Sequence, residues 1–546
     1  MNMTSDDREA GSRTDSGERP IRFLSFADQI RRTAATRSGA VAVACESETL
    51  RYGQLFDRAC RLANALSQMG VRTGDRVATL ESNRLESVEE VCAIALLGAV
   101  RVPLYLHNPV SLQLHMLRTV GATALILESP QLSKLARHLA ELADLRVVVC
   151  HEAADSAGLA DVADYEALLQ ASSPRDPLVA TGPEAPAIIR FSSGTTGTPK
   201  GVMHRQLAYS ETGEAMARAM EEVTPESLQI VAGPLSHVSG IFLWPMIARG
   251  AGIRVMPRFD PDRFLDHVEA GGTFSLLVPT MIKSILEQPR LELRKLGSLR
   301  RIGYGGAPLE ADVLQRALDV FGPVLTQSFG QSEVCPITAL PSTSHDTTGA
   351  SAEREVLASV GYPVAGASVR VVDEAGKEVP AGTVGEVAAK AIWTMSEIWA
   401  DPSATAARFT DDGYLLSGDM GYFHRGALYL TGRKDDMIIS GGYNIWPAEI
   451  ESALLAHPGV EDAAAFGVPH ERWGETPVAV VTASGDEAPA PSELVAWCRA
   501  RVGSVKKPSV VVVREAPLPR NASGKLLRRE LRKEYDLERR NADSRE

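Results

Sequence analysis

Aromatic residues are scarce in this 546-residue chain, at 5% of the total, and no two cysteines stand at metal-binding or redox spacing. The six cysteines (Cys45, Cys60, Cys92, Cys150, Cys335 and Cys498) are scattered. That spacing supports neither a zinc site nor a disulfide framework, and most of the thiols read as small buried hydrophobes in a reducing compartment. Also missing is any apolar run near the ~20 residues of a membrane helix; the closest, 91–100, ends at Arg101. Residues 1–22 lack the apolar stretch of a signal peptide and read as a disordered tail, so the expected location is the cytoplasm. Positive charge is not in excess: 57 Lys and Arg against 69 Asp and Glu give a net charge of −12. Such a surface repels phosphate backbones and speaks against nucleic acid as a partner. It leaves room for one small anion in a locally basic pocket.

What is present is a long chain with 44% apolar residues, enough for a large core and for about three or four domains or subdomains. Leu55, Ala59, Leu62, Leu66 and Met69 fall at helical spacing and Gly70 follows as a stop. Strands are expected at 76–80, 100–106, 124–127 and 145–150, with helical stretches between them, which argues for α/β layers with much parallel sheet. Residues 171–186 read as a surface connection. A more β-rich region has expected strands at 360–372 and 384–391. Beyond Gly432 the pattern changes again, to helices at 447–456 and 492–502 and strands at 463–468 and 477–483, enough for a separate small α+β domain. No internal repeat is visible.

The densest chemical signal is Phe191-Ser-Ser-Gly-Thr-Thr-Gly-Thr-Pro-Lys200-Gly201. Glycines let backbone N–H groups approach phosphate oxygens, Ser and Thr add donors, and Lys200 adds charge. It is not a Walker A loop, because Pro199 precedes Lys200 and Gly201 follows. Downstream, in order, come Tyr304-Gly-Gly-Ala-Pro308, Ser328-Phe-Gly-Gln-Ser-Glu333, Ser417-Gly-Asp-Met-Gly421, Thr431-Gly-Arg-Lys-Asp-Asp436, Ser440-Gly-Gly-Tyr-Asn-Ile-Trp-Pro447 and Pro519-Arg-Asn-Ala-Ser-Gly-Lys525. Each has a reading of its own. Gly305, Gly306 and Ala307 offer a flat backbone for an adenine ring, or a plain strand-to-helix turn. Glu333 is a carboxylate able to hold Mg²⁺ with phosphate oxygens, or a solvated helix-start charge. Asp419 can accept from both ribose hydroxyls, or simply form a Gly-Asp turn. Lys525 stands before a basic segment that alone reads as a charged helix start.

Taken together and in this order, the segments resemble the motifs of the adenylate-forming superfamily, which includes acyl- and aryl-CoA synthetases, peptide-synthetase adenylation domains and firefly luciferase. The likeness runs from about residue 23 to 531. It implies an α/β fold with a large multi-subdomain N-terminal ATP- and acid-binding domain (23–432), a hinge (433–436) at Asp435, a small mobile α+β C-terminal domain (437–534) and a charged tail (535–546). It implies that Ser192, Ser193, Gly194, Thr195, Thr196, Gly197 and Lys200 cradle phosphate, that Phe329, Gly330 and Ser332 join the nucleotide site, and that Arg433 completes the ribose contacts. By the same resemblance Lys525 reaches the acid carboxylate and α-phosphate, easing the approach of two anions. His237, Val238 and Tyr304 would line the acid pocket. Amino-acid activators carry Asp and catechol-type aryl activators Asn where this chain has Val238, so both substrate classes are disfavoured. Gly441, Gly442, Tyr443 and Trp473 would meet the pantetheine arm of CoA, although Trp473 alone is equally a core residue. One departure is the segment 502–508, which lacks the Tyr often found before Lys507-Pro508.

The expected activity is therefore an AMP-forming carboxylate–CoA ligase with ATP, Mg²⁺ and CoA. Rival readings are an adenylating enzyme serving a carrier protein, an amine or another nucleophile or oxyanion, and a non-catalytic nucleotide-binding regulator. A homodimer stays open at this point.

Overall fold

The computed structural model describes residues 23–152, 162–192, 199–220, 223–307, 309–345, 355–485, 487–520 and 526–543. Apolar runs such as Ala124–Glu128 and Val147–His151 are buried along nearly their whole length, as strands covered on both faces must be. They belong to an eight-stranded sheet that is parallel from Pro186–Ser192 through Val100–Pro103, Arg76–Leu80, Ala124–Glu128 and Val147–His151 to Val162–Asp164. Lys200–Arg205 and Glu397–Ile398 extend it antiparallel on one side. A nine-stranded sheet has the parallel centre Leu325–Phe329, Arg301–Gly305, Phe274–Leu277, Leu228–Val231, Gly252–Val255 and Val41–Cys45.

The helices Tyr52–Gln68 and Glu86–Leu96 share one core with both sheets. Leu62, Leu66, Val88 and Ile94 join Val43, Val231 and Ile253 of one sheet to Val77, Ile126 and Val149 of the other. The opposite faces carry separate cores beneath Val110–Val120 and under Pro261–Glu269, Pro279–Leu286 and Ala311–Phe321. Four antiparallel strands, Ser368–Val372, Gly385–Lys390, Leu415–His424 and Ala427–Arg433, form a third sheet. The single strand expected over 360–372 is thus two pieces, because Gly366 turns the chain at φ +90° and Tyr362–Pro363 pairs instead at the edge of the nine-stranded sheet.

The smaller C-terminal part is a five-stranded sheet around Gly474–Ala483 and Val460–His470. Pro447–Leu455 and Pro491–Lys506 pack through Ile450, Leu454, Leu494 and Cys498. Arg528–Asp543 packs in a second core, through Leu531 and Tyr535 beside Phe466. That helix runs through 535, where a charged tail was expected to begin. Leu531 and Tyr535 share a face at i, i+4 spacing, a sparse stripe masked by the surrounding charges. The expected tail 1–22 lies outside the described residues. Five of the six cysteines are buried and Cys335 is half-buried, and no helix among the described residues is long and apolar enough to cross a membrane.

Candidate active site

The strands Pro186–Ser192 and Lys200–Arg205 form an antiparallel hairpin in which Ser192 faces Lys200. The expected phosphate cradle is the connection between them; Ser193, Gly194, Thr195, Thr196 and Gly197 lie outside the described residues, as does Lys525. The hairpin base is tight: a Cβ at Gly201 would lie 2.9 Å from the Ile189 side chain.

Gly305 ends one parallel strand against its neighbour so closely that a Cβ would sit 2.3 Å from the Ser328 carbonyl oxygen. Gly306 follows at φ +81°, and Gly306 and Ala307 are exposed. Here the backbone lies bare of large side chains, at the place where the sequence offers a ledge for a planar ring. Phe329 and Gly330 continue the adjacent strand.

Asp419 and Arg433 face each other across the hairpin of Leu415–His424 and Ala427–Arg433, with Arg433 Nε 3.1 Å from Asp419 Oδ1. Gln331 donates from Nε2 to the other Asp419 oxygen and to the Ser417 carbonyl, the latter at 2.8 Å. Gly418, at φ +73°, donates its N–H to Glu386 at 2.9 Å, and Glu386 also holds Lys434 at 2.8 Å. Asp435 lies in the short turn Lys434–Asp436. Beyond it Asp436 meets Arg528 of the C-terminal part at 3.5 Å.

Ser332 and Glu333 lie next to Gln331. The Ser332 carbonyl accepts from His204 Nε2 at 2.8 Å and from Arg190 at 3.1 Å. The Glu333 carbonyl accepts from the Met395 N–H at 2.6 Å. Glu333 is 8% exposed; its carboxylate accepts no hydrogen bond among the described residues and has only Arg408 nearby, at 3.8 Å. A buried carboxylate with free lone pairs fits a magnesium ligand.

Arg190 and His204 escape sequence reasoning. Arg190 is buried, makes no ion pair among the described residues, and leaves its Nε without a partner. Its one signal is a charged residue at the end of the apolar run 187–189. His204 is fully buried, and burial, aided by the Arg190 charge, pushes its pKa down to about 3. The neutral ring donates from Nε2 to Ser332, leaving Nδ1 as an unpartnered acceptor.

His237 stacks on Tyr105, with ring centroids 4.2 Å apart, and its Nδ1 lies 2.9 Å from the Ser236 hydroxyl. Burial, then the charge of Arg190, lowers its pKa to about 4. Tyr105 donates its hydroxyl to the Phe191 carbonyl at the hairpin base. Val238 is partly exposed. Tyr304 is buried and gives its hydroxyl to His345 Nε2 at 2.9 Å, whose Nδ1 donates to the Pro341 carbonyl at 2.9 Å. It therefore has no free hydroxyl for a substrate.

In the C-terminal part, Gly441 and Gly442 take successive left-handed conformations, φ +58° and +83°. The Gly441 N–H donates to the Trp473 carbonyl at 2.9 Å. Trp473 is 45% exposed and stacks on His470 at 4.4 Å, and Tyr443 is 58% exposed. These residues share one surface, which removes the reading of Trp473 as core.

Comparison with known proteins places the chain in a family. The family described as AMP-binding enzyme matches residues 30–399, and its C-terminal domain matches 449–525. A feruloyl-CoA synthase from Amycolatopsis sp. is 35% identical over 92% of this chain and 98% of its own length. An indoleacetate–CoA ligase from Aromatoleum aromaticum is 33% identical over 93% and 98%. The structure of the amide bond synthetase McbA from Marinactinospora thermotolerans superposes with a TM-score of 0.81 at 30% identity, covering 93% of this chain and 99% of that one. The chain belongs to the AMP-binding enzyme family.

Proposed function

We propose that the chain is an ATP-dependent carboxylate–CoA ligase working through an acyl- or aryl-adenylate. The observation that carries this reading is the run Gln331-Ser-Glu333. Gln331 is bonded to the ribose-side carboxylate Asp419, the Ser332 carbonyl is held by two donors, and Glu333 is a buried carboxylate without a hydrogen bond among the described residues. Three successive residues thus join the sugar acceptor to a candidate metal ligand.

In the first step an oxygen of the acid carboxylate attacks the α-phosphorus of ATP, and the bond to the bridging oxygen breaks, releasing pyrophosphate. Gly305, Gly306 and Ala307 support the base and Asp419 and Arg433 the ribose. Lys200 and the hairpin connection hold the phosphates, and Glu333 holds Mg²⁺, which neutralises phosphate charge when bound. Lys525 supplies a cation between the two anions. In the second step the sulfur of CoA attacks the acyl carbon, AMP departs with one former carboxylate oxygen, and the thiol proton passes to water. Rotation about Asp435 exchanges Lys525 for the face bearing Gly441, Gly442, Tyr443 and Trp473.

Neutral His237 and apolar Val238 offer no charge to a substrate ammonium, whose burial unpaired costs several kcal/mol. The acid is therefore neutral-tailed, and the feruloyl and indoleacetate relatives favour an aromatic ring. McbA, an amide bond synthetase by name, supports a second reading with an amine acceptor. Product analysis with a panel of acids, with and without CoA, tests both. AMP, pyrophosphate and thioester are expected from aromatic acids; ADP as the main product contradicts adenylation, and an amide formed in preference to thioester favours the second reading.

A further inference from the structure

Away from the nucleotide site, three ligating side chains converge at the carboxyl ends of the eight-stranded sheet. Glu81 follows the strand Arg76–Leu80, His151 ends Val147–His151, and Glu90 reaches in from the helix Glu86–Leu96. His151 Nε2 lies 2.8 Å from Glu90 Oε1 and 3.1 Å from Glu81 Oε2. The side chains of His151, Glu90 and Glu81 are 2%, 1% and 7% exposed. Glu81 Oε2, although aimed at the imidazole, has no hydrogen-bond partner, and neither has Glu90 Oε2.

From this cluster we infer that Glu81, Glu90 and His151 form a binding site for a divalent first-row transition-metal cation, separate from the magnesium of the nucleotide. One imidazole N–H cannot satisfy two carboxylates. Burying two carboxylates beside one imidazole is costly unless protons or a cation offset the charge, and Glu81 Oε2 and Glu90 Oε2 have no hydrogen-bond partner among the described residues. A divalent cation beside a neutral imidazole offsets the charge of both carboxylates and gives them a partner. The spacing is close to that of a metal site: ligand atoms each about 2.1 Å from one tetrahedral ion stand about 3.4 Å apart, and the three ligand atoms here all lie within 4.8 Å of one another. Two carboxylates and one imidazole suit zinc, manganese or iron(II) better than calcium, which takes more oxygens.

The surroundings fit an ion. A cleft of about 510 Å³, lined by His151, Arg58, Arg84, Glu86 and Tyr165, opens beside the imidazole. Arg84 is no substitute for the ion, because its guanidinium is taken by Glu86 at 3.0 Å. The Tyr165 ring, 4.2 Å from that of His151, fixes the imidazole plane, and its hydroxyl donates to Glu89 at 2.9 Å. Two residues beyond Glu81, Asn83 donates to the Gly233 carbonyl at 2.9 Å and accepts from Leu235 N–H at 2.8 Å. Glu81 thus lies two residues from a contact to the segment that carries His237.

The test uses the full chain stripped with a chelator, then dialysed against Zn²⁺ alone without nucleotide and assayed for metal by mass spectrometry. About one equivalent per chain is expected. Zn²⁺ should raise the melting temperature of the wild type but not of Glu90→Gln, and Glu90→Gln and His151→Asn should bind at least about tenfold more weakly. Co²⁺ added to the wild type should give visible d–d bands that Zn²⁺ displaces, a reading that survives if either variant fails to fold. Substoichiometric zinc in the wild type, equal retention by folded Glu90→Gln, or absent cobalt bands would overturn the site.

Discussion

At the ribose corner each charge faces another: Asp419 meets Arg433 and Gln331, and Glu386 meets Lys434 and the Gly418 N–H. At the acid corner the reverse holds. Arg190 is buried without a counter-ion among the described residues, and burial, with the Arg190 charge second, keeps the imidazoles of His204 and His237 neutral. In the proposed function the ribose corner receives a neutral sugar, whereas the acid corner receives a carboxylate and phosphates; there the Glu333 carboxylate accepts no hydrogen bond among the described residues and has Arg408 3.8 Å away.

The sharpest way to break this division is to separate the half-reactions. Lys525→Ala should slow adenylate formation by about 10²-fold or more while converting supplied acyl-adenylate and CoA at near wild-type rate. Asp435→Pro should do the opposite, because proline holds φ near roughly −65° in a turn that must rotate. Single-turnover assays of each step decide this, and equal loss of both steps in both folded variants would contradict it.

Next in size is the paired corner itself. Hydrogen bonds to a charged group contribute about 1.5–3 kcal/mol, so Asp419→Ala should weaken ATP binding by roughly 10- to 100-fold, measured by calorimetry. A change below about twofold would remove Asp419 from the ribose site.

Stability should then separate the two corners. Arg190→Met removes an uncompensated buried cation, so the melting temperature should hold or rise, while kcat/KM falls about tenfold as Ser332 loses one of its two donors. Arg433→Met breaks a partly exposed pair and should lower the melting temperature by about 2 °C. The same sign in both variants would erase the contrast.

The meeting of Asp419 and Arg433 was legible because they lie in short glycine-marked motifs that a single hairpin brings into register. Gln331 sat inside one of those motifs and was passed over. Arg190 and His204 were not legible: they alternate with apolar neighbours in two strands, and their common target, Ser332, is 142 and 128 residues away. The layer order was readable from apolar runs such as 124–128. The tail boundary expected at 535 falls inside the helix Arg528–Asp543, because charges hide its Leu531 and Tyr535 face.

A pH dependence sharpens the acid corner further. His204 and His237 have folded pKa values of about 3 and about 4, below the unfolded value near 6.5. Unfolding then takes up protons below that pH, so stability is full above it. As pH falls toward 4, stability should drop by up to about 1.4 kcal/mol per pH unit for each imidazole. Urea titrations of wild type and His237→Phe should show a shallower slope in the variant, and identical slopes would mean that His237 is not held neutral.

The central claim, that the acid is activated on the α-phosphorus before the thioester forms, is tested most directly by isotope transfer. With an aromatic acid carrying ¹⁸O in both carboxylate positions, ATP and CoA, the released AMP should hold one ¹⁸O, because the attacking oxygen stays on phosphorus when sulfur takes the acyl carbon. Label recovered in inorganic phosphate, with none in AMP, would contradict the account.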